Sequence, residues 1–343
     1  MKRWLLHSIK IALAFGILAF LFWRTFENNP EVYAQLQSEA KDWPRLALAC
    51  VILLACSLVS FFRWYLLVRV LGLSLSLWTA IKLGFVGYFS NFFSLGVVGG
   101  DIFKAALLAK THAKHRTEAV LSVVVDRCVG FYTMLLLASL SILCWGGVFL
   151  SFPKQQEPLG WLFVATLSAF FFATLGLCFS QPLWQGWLGQ KIARVPKIGI
   201  SLGRVHSALG TYFRYKKTLG LALLLTLGSQ AATAFAFWLI ATGLPGSTPS
   251  LPQFLVIVPL SLVAAAVPLP MGGLGALEAM VAYLYQLLSF PPARGLLVAL
   301  AYRLSTIFVA LGGIPFFLKA RDGQPQRTNE VIRSGESGAE NAE

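Results

Sequence analysis

Pro268-Leu269-Pro270-Met271-Gly272-Gly273-Leu274-Gly275-Ala276-Leu277-Glu278 separates two apolar runs, Phe254–Pro268 and Ala276–Phe290, of 15 residues each. A helix that crosses a bilayer needs about 20 apolar residues, so neither run is of ordinary spanning length. The two prolines remove backbone donors and stop the first helix, while the glycines permit a tight turn. Glu278 then falls in the first turn of the next helix. Broken backbone at membrane depth is tolerated only where protein or a wet cavity surrounds it. The stretch therefore reads as the tip of a re-entrant hairpin, or of two short crossings. It is no dinucleotide loop, because no strand precedes it and no βαβ context surrounds it.

A second glycine break has the same form. Gly99-Gly100-Asp101-Ile102-Phe103-Lys104 lies between Trp78–Val98, itself interrupted by glycine, and the short apolar segment Ile102–Ala109. Spanning runs are readable at Leu5–Phe26, Leu46–Leu67, Ala119–Leu150, Leu159–Phe179, Leu219–Ala241 and Leu296–Leu318. The expected architecture is an all-α polytopic membrane protein with 6–8 transmembrane helices and two glycine-broken re-entrant elements. If both elements dip, they approach from opposite faces, which is the arrangement of an inverted repeat. Residues 1–320 form the transmembrane domain, and 321–343, polar and without aromatics, a disordered cytoplasmic tail.

Composition agrees. Hydrophobic residues make up 57% of the 343 and charged residues 12%, about half the usual 25% or so of soluble proteins. The net charge is +14, but Lys and Arg fall mostly between apolar runs, which points to topology and anionic lipid, and no nucleic-acid signature is present. Basic residues follow the second span (Arg63, Arg69, Lys82), the first break (Lys104, Lys110, Lys114, Arg116) and the fourth span (Gln181–Lys217), whereas Glu27–Arg45 is acidic. The basic loops share the cytoplasmic side only if Trp78–Ala109 enters and leaves by one face. Both termini are then cytoplasmic, in a multi-pass protein of the cell (inner) membrane. Met1-Lys2-Arg3 before Leu5–Phe26 reads as an uncleaved signal anchor.

Ile198–Phe213 is amphipathic, with Ile198, Leu202, Val205, Leu209 and Tyr212 on one face, and reads as a surface helix, either a topology anchor or a lipid sensor. The five cysteines have neither disulfide nor zinc spacing and read as small buried hydrophobes.

Ionisable groups inside apolar runs mark function by default, because at bilayer depth they cost several kcal/mol without a partner or a wet cavity. Five such groups stand out, Asp101, Asp126, Arg127, Glu278 and Arg303, with Lys104 following Asp101. Asp101 is placed to cap a short helix from Ile102, whose free N–H groups, with Lys104 one turn on, suit a phosphate; it is equally a plain cap. Asp126 and Arg127 are sequence neighbours about 100° apart on a helix, so each needs a partner elsewhere, protein or substrate. Glu278 satisfies its helix dipole or binds substrate; Arg303 bridges Glu278 or holds a phosphate. Asn91 is a polar residue for helix–helix bonding or substrate contact. Gly99, Gly100, Gly272, Gly273 and Gly275 are the structural turn. No catalytic triad, metal spacing or phosphate-binding ATP loop is visible, so neither an enzyme nor a cofactor or metal is expected.

At these residues the chain resembles the transmembrane region of lysylphosphatidylglycerol synthases, a flippase-like family of integral membrane proteins. The resemblance rests on Tyr88-Phe89-Ser90-Asn91, Gly99-Gly100-Asp101 with Lys104, Asp126-Arg127, Pro270 with Gly272-Gly273-Leu274-Gly275 and Glu278, and Arg303. It extends over nearly all of Leu5–Leu318. Leu95 stands where the family often has proline, and Lys104 where arginine is usual. The resemblance implies movement or handling of a phosphate-bearing lipid headgroup, without the aminoacyl-transfer domain of the bifunctional members. Its implied partner is membrane phospholipid or another lipid. The alternative is a membrane scaffold for a separate lipid- or glycan-modifying enzyme, and a lipid-linked transferase stands third.

Overall fold

The computed structural model describes residues 30–91, 98–112, 115–149, 210–212, 214–266 and 275–313, and positions 16, 27, 165, 168, 171, 172 and 315 besides. Most of Leu5–Phe26 and of Leu159–Phe179, the amphipathic stretch before Gly210, the turn glycines Gly272 and Gly273, and the tail after residue 321 lie outside the described residues.

The helices are α1 (Pro30–Ser38), α2 (Trp43–Val70), α3 (Leu77–Ser90), α4 (Val98–Thr111), α5 (Arg116–Phe149), α6 (Lys216–Gly243), α7 (Leu251–Ala266), α8 (Ala276–Leu287) and α9 (Pro292–Leu311). No strand occurs among the described residues. Local chemistry sets the starts. Asp42 accepts the Arg45 N–H at 3.1 Å before α2, and Ser76 accepts the Thr79 N–H at 3.1 Å before α3, each satisfying an orphan donor of a first turn. Among the described residues, α2, α5, α6 and α9 are long and apolar enough to cross a membrane. The protein is an all-α polytopic membrane protein.

Short helices pair between the long ones. At the base of the α3–α4 hairpin, Ser74 Oγ lies 3.1 Å from His112 Nε2; at its tip, Asn91 Oδ1 accepts the Gly100 N–H at 2.9 Å. The chain thus enters and leaves at one end, as the basic loops require. The α7–α8 hairpin closes its own base through Thr248 Oγ1 and the Tyr285 hydroxyl, 3.3 Å apart. At 1.5 Å per residue α7 and α8 are about 24 Å and 18 Å long, short of a hydrocarbon core of about 30 Å.

The hairpins open from opposite ends of the bundle, and α2 proves it. Its first residues join the end of α6, where the Asp42 N–H donates to the Gly243 carbonyl at 3.0 Å. That end holds the base of α7–α8. Its last turns, Trp64 and Val68, pack with Leu73, Leu75, Ala105 and Leu108 at the base of α3–α4. Helix ends at this second level carry Arg69, Lys110, Arg116, Lys216 and Lys217, whereas the first carries the acids Glu39 and Asp42 together with Lys41, Arg45 and Arg294. The order long–short–short–long therefore occurs twice with inverted direction. The equivalence extends to single residues: Arg127 is the twelfth residue of α5 and Arg303 the twelfth of α9.

Two anchors complete the frame. Arg294, 4% exposed, donates from Nη2 to the carbonyls of Ala241 at 3.1 Å and Leu244 at 2.7 Å. It thereby satisfies the C-terminal carbonyls of α6 with a cation, the charge favoured there. Tyr212 is buried and donates to the Leu67 carbonyl at 3.0 Å, fastening the one described turn of the amphipathic stretch to α2. Cys50 and Cys56 are half-buried, whereas Cys128 and Cys144 are exposed. The expectation that all cysteines are buried is thus corrected for those two. In a bilayer an outward position is itself apolar, so a small apolar side chain does not require the interior.

Candidate functional site

Glycine makes the first tip. A Cβ on Gly100 would overlap the Gly87 carbonyl oxygen and crowd Asn91 Oδ1, so α3 and α4 touch backbone to backbone at this level. Asp101 follows directly. Because α4 begins at Val98, Asp101 lies inside the first turn and is not its cap, which corrects the expectation of a helix starting at Ile102. The earlier start lets the buried carboxylate turn sideways between two cations. One oxygen pairs with Arg127 Nε, and the other lies 3.4 Å from Lys104 Nζ.

Lys104 is itself buried, with its ammonium 5.4 Å from the centre of the Trp64 ring. It is therefore not a loop charge. Arg127 differs, since 47% of its side chain is exposed although its Nε is paired. Among these three described side chains one positive charge is in excess.

Asp126, next in sequence to Arg127, points elsewhere. Its Oδ1 accepts from Arg63 Nε at 2.7 Å, and Arg63 Nη1 reaches Thr226 Oγ1 at 3.0 Å. Both charges are buried. Arg63 does not follow the second span but lies within α2 and serves this pair. The missed signal was its position in the apolar run, between Phe62 and Trp64. Arg294 was missed for another reason: near a helix start it resembles an ordinary flanking charge.

The second tip turns on Gly275, whose φ of +92° is costly for any residue with a side chain. Glu278 is 1% exposed and fully engaged. Its Oε1 accepts from Arg303 Nε at 2.9 Å, while Oε2 accepts from Arg303 Nη2 at 3.3 Å and from the Gly275 N–H at 2.8 Å. The carboxylate therefore both satisfies the helix start and bridges to α9.

Tyr88, near the end of α3, packs against the core that includes Leu277 of α8 and Val298 of α9. Tyr302 stacks on Phe237 with ring centres 4.0 Å apart. Tyr302 precedes Arg303 as Asp126 precedes Arg127, so an aromatic residue stands in the second half where a carboxylate stands in the first.

The structure thus gathers the sequence candidates into three groups: Asp101, Lys104 and Arg127 with Asn91 at the first tip; Asp126 with Arg63 beside them; Glu278 and Arg303 at the second tip. No cluster of three or more metal-ligating side chains occurs among the described residues. No curated protein and no solved structure matches the chain. Residues 8–313, spanning both hairpins and all three charged groups, match the family described as the lysylphosphatidylglycerol synthase TM region. The chain belongs to that family.

Proposed function

We propose that this protein takes up a phosphate-bearing lipid headgroup at the hairpin tips and passes it between the leaflets of the inner membrane. The observation that carries the reading is the pair of hairpins entering from opposite ends, each with a carboxylate–arginine pair at its tip. Broken helices whose first turns face a shared interior are how transporters hold charged groups at mid-depth. A carboxylate set between cations keeps them in place without ligand, and an incoming phosphate can take over their hydrogen bonds. Arg303 is closely held by Glu278, so the cationic contacts are assigned to Lys104 and Arg127, with Glu278–Arg303 as the structural latch.

The direct test is a leaflet-sidedness assay on the purified chain in liposomes. Fluorescent phospholipid should become accessible to an impermeant quencher faster than in protein-free vesicles, and Lys104→Gln should slow this by roughly tenfold or more. Equal rates with and without protein would favour the scaffold of a lipid- or glycan-modifying enzyme instead. The basic end is assigned to the cytoplasm, with both termini. A cysteine at Thr111 should then resist an impermeant outside reagent while one at Gln37 labels; labelling at Thr111 would reverse the orientation.

A further inference from the structure

Gln230 is the fifteenth of the 28 residues of α6, at the middle of a helix long enough to cross a membrane. It shares one helical face with Thr226, Thr233 and Phe237, spaced by four, three and four residues. That face looks into the bundle. Thr226 Oγ1 accepts from Arg63 Nη1 at 3.0 Å, and Phe237 stacks on Tyr302 of α9. All four side chains are buried, Gln230 with 9% of its surface exposed. The common role of a glutamine inside a membrane bundle is a hydrogen bond that joins two helices. Gln230 does not fill it. Among the described residues its amide has no hydrogen-bond partner.

An unpaired carboxamide is disfavoured in an apolar interior, because two N–H donors and a carbonyl oxygen lose their water. Among the described residues, unpaired atoms of Trp64, Glu118, Ser139 and Arg294 are sealed off by protein. The Gln230 amide is unpaired without being sealed, so it faces space that a small polar group can enter. Its neighbours are polar and uncharged. The Thr233 hydroxyl donates to the Ser229 carbonyl at 2.8 Å, and the Cys56 thiol donates to the same carbonyl at 3.4 Å. With its proton so engaged, the Thr233 oxygen is left as an acceptor. Arg63, a turn away, is spent on Asp126 and Thr226.

We infer that Gln230 and Thr233 form a mid-depth subsite for a hydroxyl of the lipid headgroup, to which the amide N–H donates while Thr233 Oγ1 or the amide oxygen accepts from it. This rests on the lipid-handling reading above and adds the class of headgroup: a phosphodiester extended by a polyol such as glycerol or a sugar. The chemistry selects the ligand. An ammonium or a second phosphate does not suit the subsite, because neither an amide nor a hydroxyl neutralises a charge at this depth. A hydroxyl both donates and accepts, which is what a carboxamide beside a threonine oxygen answers. Along α6 the subsite lies one turn from the Arg63–Asp126 pair and about two turns from Tyr302, the neighbour of Arg303. A headgroup passing from one hairpin to the other meets it on the way.

The test uses the full chain in amine-oxide micelles, which carry no hydroxylated headgroup. It is titrated with phosphatidylglycerol bearing a dye on one acyl chain, and with the matching phosphatidylpropanol, equal in charge but without hydroxyls. The parent should bind the glycerol lipid about tenfold more tightly. Gln230→Leu should remove most of that preference by weakening the glycerol lipid alone, with no fall in unfolding temperature. Thr233→Val, which keeps the shape and removes the oxygen, should reduce the preference several-fold, and so tests the subsite even if Gln230→Leu misfolds. Equal binding of the two lipids by the parent would overturn the inference and leave the lipid-handling reading intact. A preference kept in full by both variants would do the same. Displacement of the glycerol lipid by free glycerol in hundredfold excess would make this a site for soluble polyols and overturn the assignment to a headgroup. No saturable binding of either lipid by the parent would remove the reading and the inference with it.

Discussion

Arg303→Leu is expected to lower stability in detergent by about 3–5 kcal/mol, because it leaves the Glu278 carboxylate buried without its cation. At 1% exposure Glu278 has no route to solvent, and the Gly275 N–H alone cannot offset a buried negative charge. The double variant Arg303→Leu with Glu278→Gln should recover most of the loss, since the glutamine oxygen still accepts from Gly275 and no charge remains. Exchanging the pair, Glu278→Arg with Arg303→Glu, should recover less. An arginine at the start of α8 opposes the helix dipole and cannot accept the Gly275 N–H, together a deficit of about 1–2 kcal/mol. Denaturant or thermal unfolding of the four proteins measures this. A single variant as stable as the parent would show that the pair contributes nothing to the fold. A double variant that folds and still translocates lipid would confine Glu278 and Arg303 to the role of latch.

Gly100→Ala is expected to be as damaging by a different route. The added methyl would occupy the position of the Gly87 carbonyl oxygen, and a backbone atom in a packed helix cannot swing aside as a side chain can. Helices α3 and α4 must separate, which breaks the Asn91–Gly100 bond and loosens the Asp101 group. Overpacking usually costs about 1–3 kcal/mol, and a backbone obstacle belongs at or above the upper end. Gly220→Ala is the control. Its Cβ would meet nothing within 4 Å, and in a helix it should be neutral or stabilise by up to about 1 kcal/mol. Equal unfolding temperatures for Gly100→Ala and the parent would mean that the close contact of α3 with α4 is dispensable.

The family match and the helices agree with the sequence reading, and the reason is that both follow from local rules. Run length separates α2, α5, α6 and α9 from α3, α4, α7 and α8, because a bilayer of fixed thickness makes length itself informative. Glycine and proline mark the turns because few other residues adopt the backbone those turns need. Charge inside an apolar run identifies Asp101, Asp126, Arg127, Glu278 and Arg303, since the bilayer tolerates such groups only with partners.

Which partners they take is a tertiary matter. Asp126 and Arg127 are adjacent in the chain yet engage Arg63 and Asp101, 63 and 26 positions away. Their side chains diverge around α5, and only the packing of α2 and α4 on either side decides what each meets. The same packing converts Lys104 and Arg63 from apparent loop charges into buried ones. It also leaves Arg127, alone among the paired arginines of the three groups, half in view. No local pattern distinguishes an arginine enclosed by neighbouring helices from one left half-exposed, because that depends on which helix lies opposite. The sequence by itself determined the helices, their breaks and the residues that must be satisfied; the tertiary structure alone decided which of them satisfy one another.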